Sequence, residues 1–217
     1  MATQAQQAVI IPPDDDRGEC ARRQSIIAAA YALLDEEGLD GLTIRAMLKR
    51  TGLARRAFYE RFAGKDDLVL AVFEEMMRET AVFLERETAN CPDALGRVRI
   101  IVYDLVVGSQ PREGGISAGR VSAIVREHMR LAQTRPAELE RVLAPVLGVI
   151  ADRISAGIRA GQLRTCDPAV QAMLIYNLIA STIHIELLME ASGEAAQYRR
   201  QRLADEIWEF CRRALAA

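Results

Sequence analysis

Residues 42–65, LTIRAMLKRTGLARRAFYERFAGK, leave a chain little freedom. Two short helical patterns meet at Gly52-Leu53, a spacing that only a tight turn can bridge. The stretch therefore reads as helix, turn, helix. Its charge is one-sided. Between Gly41 and Lys65 stand seven basic residues (Arg45, Lys49, Arg50, Arg55, Arg56, Arg61 and Lys65) and one acid, Glu60, a local charge of +6 in a chain of net charge −2. Such a unit in an acidic chain is the electrostatic footprint of contact with a DNA phosphate backbone. The acidic total argues against a protein that coats nucleic acid over its whole surface, so contact should be local.

The remaining sequence is also helical in pattern. Half of the 217 residues are apolar and 5% are aromatic, so a sizeable, mostly aliphatic core is expected. Alternating β-branched runs are scarce, which favours an all-α chain. Residues 1–18 read as a disordered tail: Gln-rich, then Pro12-Pro13 and three aspartates. A first helix should run from about Cys20 to Glu37 and stop at Gly38. A second should start at a Thr43 cap and stop before Gly52, and a third should cover Ala54 to Phe62. A long fourth helix opens with Lys65-Asp66-Asp67, its acids placed to suit the helix dipole. Further helices follow Pro92-Asp93, the loop 109–117 and Pro136. In the last of these, Pro145 should kink or split the helix. Asp167-Pro168 opens an eighth helix reaching about Glu190, and a ninth spans roughly 195–215. The plan is about nine helices: a three-helix unit over 19–66 joined through the long fourth helix to a larger bundle over 67–217.

In the third helix, Leu53, Phe58 and Phe62 can face a small core, with the two phenylalanines four apart on one face. Arg55, Arg56 and Tyr59 then point outward. An arginine can bind guanine O6 and N7 in the major groove, and a tyrosine hydroxyl can reach a phosphate. Thr43, Arg61 and Lys65 can clamp phosphates on either side. Any one of these arginines could simply belong to a solvated helix face. As a set placed after a glycine turn, they read as a DNA-binding surface.

The same residues carry a family resemblance. Residues 24–75 resemble the amino-terminal domain of TetR-like transcriptional regulators, through Thr43, Gly52-Leu53-Ala54, Tyr59, Arg61-Phe62 and Lys65-Asp66-Asp67-Leu68. The chain departs from that pattern in four places. Ala54 replaces the usual capping Ser or Thr. Ala57 stands where a small polar residue often touches DNA, Arg61 replaces the usual His, and Leu48 occupies a usually small position. The resemblance implies a DNA site of Thr43, Arg45, Arg55, Arg56, Ala57, Tyr59, Arg61 and Lys65, with base contacts shifted toward Arg55 and Arg56. It also implies a bundle that binds a small effector and forms a homodimer, setting two recognition helices about 34–36 Å apart in successive major grooves. The function implied is a ligand-responsive regulator, a repressor released from operator DNA by a small effector; the aliphatic core, with few aromatics, points to an apolar or amphipathic one.

The bundle has no comparable motif. The eighth helix, AVQAMLIYNLIASTIHIELLME, is apolar almost all round, as a helix buried on two sides would be. Leu174, Leu178 and Ile185 on it, with Leu203, Ile207, Trp208 and Phe210 on the last helix, are candidates for a twin-subunit interface. Polar residues set in apolar faces (Tyr103, Asp104, His128, and the stripe Asn177, Ser181, His184) are candidates for effector contacts, though satisfied core or interface polarity would look the same. Two histidines on separate helices, no Gly-rich phosphate loop and no metal-spaced cluster argue against an enzyme, and no metal or cofactor is expected. A helical ligand-binding or interaction module without DNA binding is the alternative. The four cysteines, Cys20, Cys91, Cys166 and Cys211, form no CxxC and read as reduced thiols. With no signal peptide pattern and no uninterrupted apolar run near roughly 18 residues, a cytoplasmic, membrane-free protein is expected.

Overall fold

The computed structural model describes residues 14–107, 118–188 and 194–217, and among them nine helices. They are α1 (Asp14–Gly41), α2 (Ile44–Thr51), α3 (Arg55–Tyr59), α4 (Lys65–Ala89), α5 (Ala94–Val107), α6 (Ala118–Thr134), α7 (Pro136–Arg159), α8 (Pro168–Leu188) and α9 (Glu194–Leu215). The all-α plan is the one the sequence implies. The expected loop over 109–117 lies outside the described residues.

Three boundaries differ from the sequence reading. α1 begins at Asp14, so 14–18 are helical rather than part of a tail; residues 1–13 lie outside the described residues. An Asp run ahead of apolar helical spacing is also a helix-opening sequence, and here that property prevails. Gly38 does stop the first run of helical geometry, with φ 68° and ψ −165°, but one more turn follows it to Gly41. α7 runs unbroken through Pro145. The proline removes a hydrogen bond to the Arg141 carbonyl, yet both positions are exposed, so water can take that carbonyl.

The core is one continuous cluster from Ile26 to Leu215 rather than two separate ones. Ile26, Ala30, Leu33 and Leu34 of α1 are buried along with Leu68, Val69, Val72 and Phe73 of α4. Fully burying each of these side chains larger than alanine stabilises the fold by roughly 1.5–3 kcal/mol. α4 thus belongs to both units: it packs on α1 of the small unit and on α7 of the bundle. α9 packs chiefly on α5 and touches α8 only lightly. Among the described residues α8 is therefore covered on one face alone. Ala172, Ile175, Tyr176, Ile179 and Ile183 are buried, whereas Val170, Met173, Leu174 and Ile185 are exposed. The sequence reading assigns one side of this helix to its own core and the other to a twin subunit; the buried side is present within one chain, and the other side is exposed. Residues 168–186 have a mean hydropathy of 1.2, which by length and composition alone would suffice to cross a membrane, and only 28% of that window is buried.

Candidate DNA-binding face and effector bundle

The reading unit is built from local chemistry. Thr43 has extended backbone, φ −115° and ψ 153°, and its Oγ1 accepts the Ala46 N–H at 3.1 Å, which caps α2. Gly52 ends α2 at φ 67°, a left-handed conformation that glycine adopts without strain, and its N–H donates to the Leu48 carbonyl at 3.0 Å. Met47, Phe58 and Phe62 are buried beneath the turn, with the two phenyl rings 5.3 Å apart. Leu53 packs half-buried against the same core.

α3 is shorter than the sequence implied, ending at Tyr59 instead of Phe62. Ala54 has the backbone of an N-cap, φ −65° and ψ 142°, but no side chain that accepts a hydrogen bond. The helix is held instead by Phe58, which is 1% exposed, and by Arg61, whose Nη1 donates to the Ala57 carbonyl at 3.1 Å.

This anchoring turns three side chains outward. Arg55 and Arg56 are exposed, and Tyr59 is 44% exposed. The Arg55 guanidinium lies over the Tyr59 ring at 5.6 Å. Arg56 Nε donates to Glu60 Oε1 at 3.0 Å. Thr43 and Arg45 are exposed beside them on α2, and Ala57 is half-buried. Arg61 and Lys65 are half-buried and already engaged, since Lys65 Nζ reaches back to the Leu39 carbonyl at 3.5 Å. Sequence reasoning passed over Lys49, exposed one turn beyond Arg45, although the i, i+4 spacing marks it. Arg50, by contrast, is paired with Glu36 at 2.6 Å.

A seam of ion pairs ties this unit to α6. Arg120 makes two bonds to Asp35 at 2.9 and 3.0 Å and lies over the Tyr31 ring at 4.8 Å. Arg126 meets Asp40 at 3.4 Å, and Arg130 meets Asp66 at 3.5 Å. Just past α6, Arg135 meets Asp67 at 3.7 Å. Arg130 also forks onto Glu127 at 2.9 and 2.6 Å. That acid is 3% exposed and beside apolar side chains of α1 and α4, so Arg130 supplies its countercharge.

The candidate effector residues do not form one site. The Tyr103 hydroxyl donates to Asp205 of α9 and Arg99 covers its ring at 5.0 Å, so this tyrosine ties α5 to α9. Burial first, and then the Asp205 carboxylate, raise its pKa. Asp104 is half-buried one residue along. The polar stripe on α8 divides. Asn177 and Ser181 are exposed, and the Ser181 hydroxyl donates to the Asn177 carbonyl at 2.7 Å. His184 is half-buried and acts electrostatically on His128 of α6. The His128 ring centroid is 5.7 Å from that of Tyr176, a buried residue that sequence reasoning did not select. Among the described residues, His128 Nδ1 is buried with no hydrogen-bond partner. Burial, and secondarily His184, pull His128 below the ordinary histidine range. Burial likewise raises the Tyr176 phenol.

The interface candidates also sort by exposure. Leu174, Ile185 and Phe210 are 52%, 56% and 65% exposed. Leu178, Leu203 and Trp208 are half-buried against the core. Ile207 is 4% exposed, a core residue with almost no surface left for a partner. The reason is tertiary: α9 turns its Ile207 side into its own subunit and its Phe210 side out. Val170 and Met173, which the sequence reading omitted, extend the exposed apolar face. Between α8 and α9 lies a groove of about 410 Å³ bordered by Leu174, Leu178, Phe210 and Arg164.

A family model described as bacterial regulatory proteins, tetR family, matches residues 26–72. The chain is 30% identical over 118 residues to an uncharacterized HTH-type transcriptional regulator of Mycobacterium bovis, a match covering 54% of each chain. It thus spans about half the length of the curated relatives it matches. A crystal structure of a TetR-family transcriptional regulator from Pectobacterium atrosepticum superposes with a TM-score of 0.72 at 20% identity, covering 94% of this chain and 98% of the other. The transcriptional regulator FadR from Bacillus subtilis, solved in complex with stearoyl-CoA, superposes with a TM-score of 0.64 at 16% identity, covering 87% and 96%. At these identities the two structures establish a shared fold.

Proposed function

We propose that this chain, whose residues 26–72 match the model of the tetR family of bacterial regulatory proteins, is a ligand-responsive, DNA-binding transcriptional regulator of that family. The observation that carries the reading is the outward trio of Arg55, Arg56 and Tyr59 above a buried Phe58–Phe62 anchor. Arg55 and Arg56 read base edges. Thr43, Arg45, Tyr59, Arg61 and Lys65 hold phosphates on either side, and Lys49 joins them.

The working form is a homodimer in the cytoplasm. Val170, Met173, Leu174 and Ile185 on α8, with Phe210 on α9, form an apolar face that a second copy would cover. Asn177 and Ser181 interrupt this face and favour a protein partner over lipid. The effector is apolar or amphipathic and is received where His128, Tyr176 and His184 converge, its polar group meeting the unpartnered His128 Nδ1. The stearoyl-CoA held by the Bacillus subtilis neighbour is a ligand of that kind. His128 lies on the helix whose arginines hold the DNA unit, so an effector that displaces α6 changes the seam to Asp35, Asp40 and Asp66. Such an effector releases DNA only if it binds the displaced state more tightly. The protein acts by binding, as a repressor, rather than by catalysis.

The test is a mobility-shift titration of the purified protein against the DNA upstream of its own gene, at rising salt. Salt-dependent, competitor-resistant binding is expected. The reading fails if no fragment is shifted at any salt.

A further inference from the structure

We propose that Glu60 determines sequence specificity by positioning Arg56. It holds the guanidinium by its Nε side, presents the outer nitrogens to a guanine, and keeps them from settling on phosphate. This rests on the DNA-binding reading above.

Glu60 is the one acid among the eight charged residues from Gly41 to Lys65. It stands between Tyr59 and Arg61, with 56% of its side chain exposed. A carboxylate there opposes phosphate at any sequence, so a surface serving affinity alone gains from losing it. Its contact suggests the compensating use. Glu60 Oε1 accepts from Arg56 Nε at 3.0 Å, whereas Arg56 has a side chain 91% exposed. A guanidinium gripped at Nε still offers both terminal nitrogens, the pair that fits guanine O6 and N7. The neighbouring arginine is fixed by other means, over the Tyr59 ring at 5.6 Å. Both readers are thus oriented before DNA arrives, and neither has to surrender its full rotamer freedom on binding.

An exposed i, i+4 ion pair can equally be a minor helix-stabilising contact. The two roles differ in what they move. A stabilising contact changes melting. A positioning contact changes the ratio of specific to non-specific affinity, and does so only while Arg56 is present.

The experiment uses the full chain. A random-sequence duplex library is enriched on the wild type, and the winning duplex and a scrambled one are then titrated by fluorescence anisotropy over a salt series. The variants are Glu60→Ala, Glu60→Gln, Arg56→Ala and the double variant Glu60→Ala/Arg56→Ala. Glu60→Ala should lower the specificity ratio about tenfold, within the roughly ten- to hundredfold that one bidentate arginine–guanine pair confers. It should also tighten scrambled-duplex binding and steepen the salt slope by about 0.9 per subunit, as Arg56 moves to phosphate. Glu60→Gln keeps an oxygen acceptor for Nε and should hold the ratio within about threefold of wild type. In the Arg56→Ala background, Glu60→Ala should leave the ratio unchanged. The proposal is overturned if Glu60→Ala keeps the wild-type ratio, or lowers it equally without Arg56. If the wild type enriches no sequence, the DNA-binding reading falls and takes this one with it. Enrichment with an insensitive ratio sinks this inference alone.

Discussion

Ala54→Ser should strengthen the recognition helix at its uncapped end. α3 is five residues long, and its first backbone hydrogen bond, Phe58 N–H to the Ala54 carbonyl, is long at 3.3 Å. The amides of Arg55, Arg56 and Ala57 come before that bond, so the helix supplies them no acceptor. Ala54 already has the extended backbone that a cap needs, φ −65° and ψ 142°, so a serine hydroxyl can accept from the Arg56 or Ala57 amide without rearrangement. Replacing a poor cap by serine is worth about 1 kcal/mol. If the chain melts as one cooperative unit, that is a rise of roughly 2–4 °C for a chain of this size. Locally it is about a fivefold slowing of amide exchange at residues 57–60, where opening is sub-global. Calorimetry and hydrogen exchange measure the two, and Ala57→Ser serves as a control that adds a hydroxyl where it caps nothing. If Ala54→Ser melts no higher than wild type and exchanges at the same rate, or if Ala57→Ser does as well, the missing cap is not what weakens α3 at its start.

Three other outcomes are expected. Below neutral pH the folded protein should weaken through His128. Its folded pKa is lowered by burial and by His184, so its contribution is complete above the unfolded value of about 6.5 and is lost as pH falls through the lowered folded value. Urea midpoints between pH 5 and 8 should flatten in His128→Phe, and an unaltered slope would refute this. Arg130→Ala strands Glu127, whose side chain is 4% exposed, and should cost roughly 1–3 kcal/mol, below the fully buried figure because Arg130 is 35% exposed. Denaturant unfolding of Arg130→Ala/Glu127→Leu should recover most of that loss, and no recovery would mean the arginine matters for something else. Leu174→Asp should leave the fold intact, since the residue is 52% exposed, and should shift sedimentation from dimer to monomer; an unchanged dimer would move the interface elsewhere.

Local chemistry made the reading unit legible. The Thr43 hydroxyl, the glycine at 52 and the paired phenylalanines each act within one turn of chain, and each behaves as its residue type requires. The missing cap at Ala54 was legible for the same reason. The reach of α3 was not, because it depends on where Phe62 and Lys65 dock. Features set by distant packing were hidden. Tyr103 and Asp205 lie 102 residues apart, so nothing local marks the tyrosine as a strut between α5 and α9. Ile207 and Phe210 look alike in a helical pattern, and only the docking of α9 on α5 makes one core and the other surface. Nothing local marks the arginines of α6, because their partners Asp35, Asp40 and Asp66 come from α1 and α4. Polar residues in apolar faces did flag His128 and His184, but their tyrosine neighbour is a long-range contact.

The most direct measurement is the salt dependence of binding to an enriched duplex, for wild type, Arg55→Ala/Arg56→Ala and Lys65→Ala. On the proposed reading, four cations per subunit, Arg45, Lys49, Arg61 and Lys65, contact phosphates, eight in the proposed dimer, for a slope of log K against log salt of about −7. The arginine pair should erase sequence preference and change that slope little. Lys65→Ala should weaken all sequences alike and make the slope about 2 units shallower, one for each subunit. No measurable binding, or a flat salt response with sequence preference surviving the loss of both arginines, would contradict the assignment of this face to DNA.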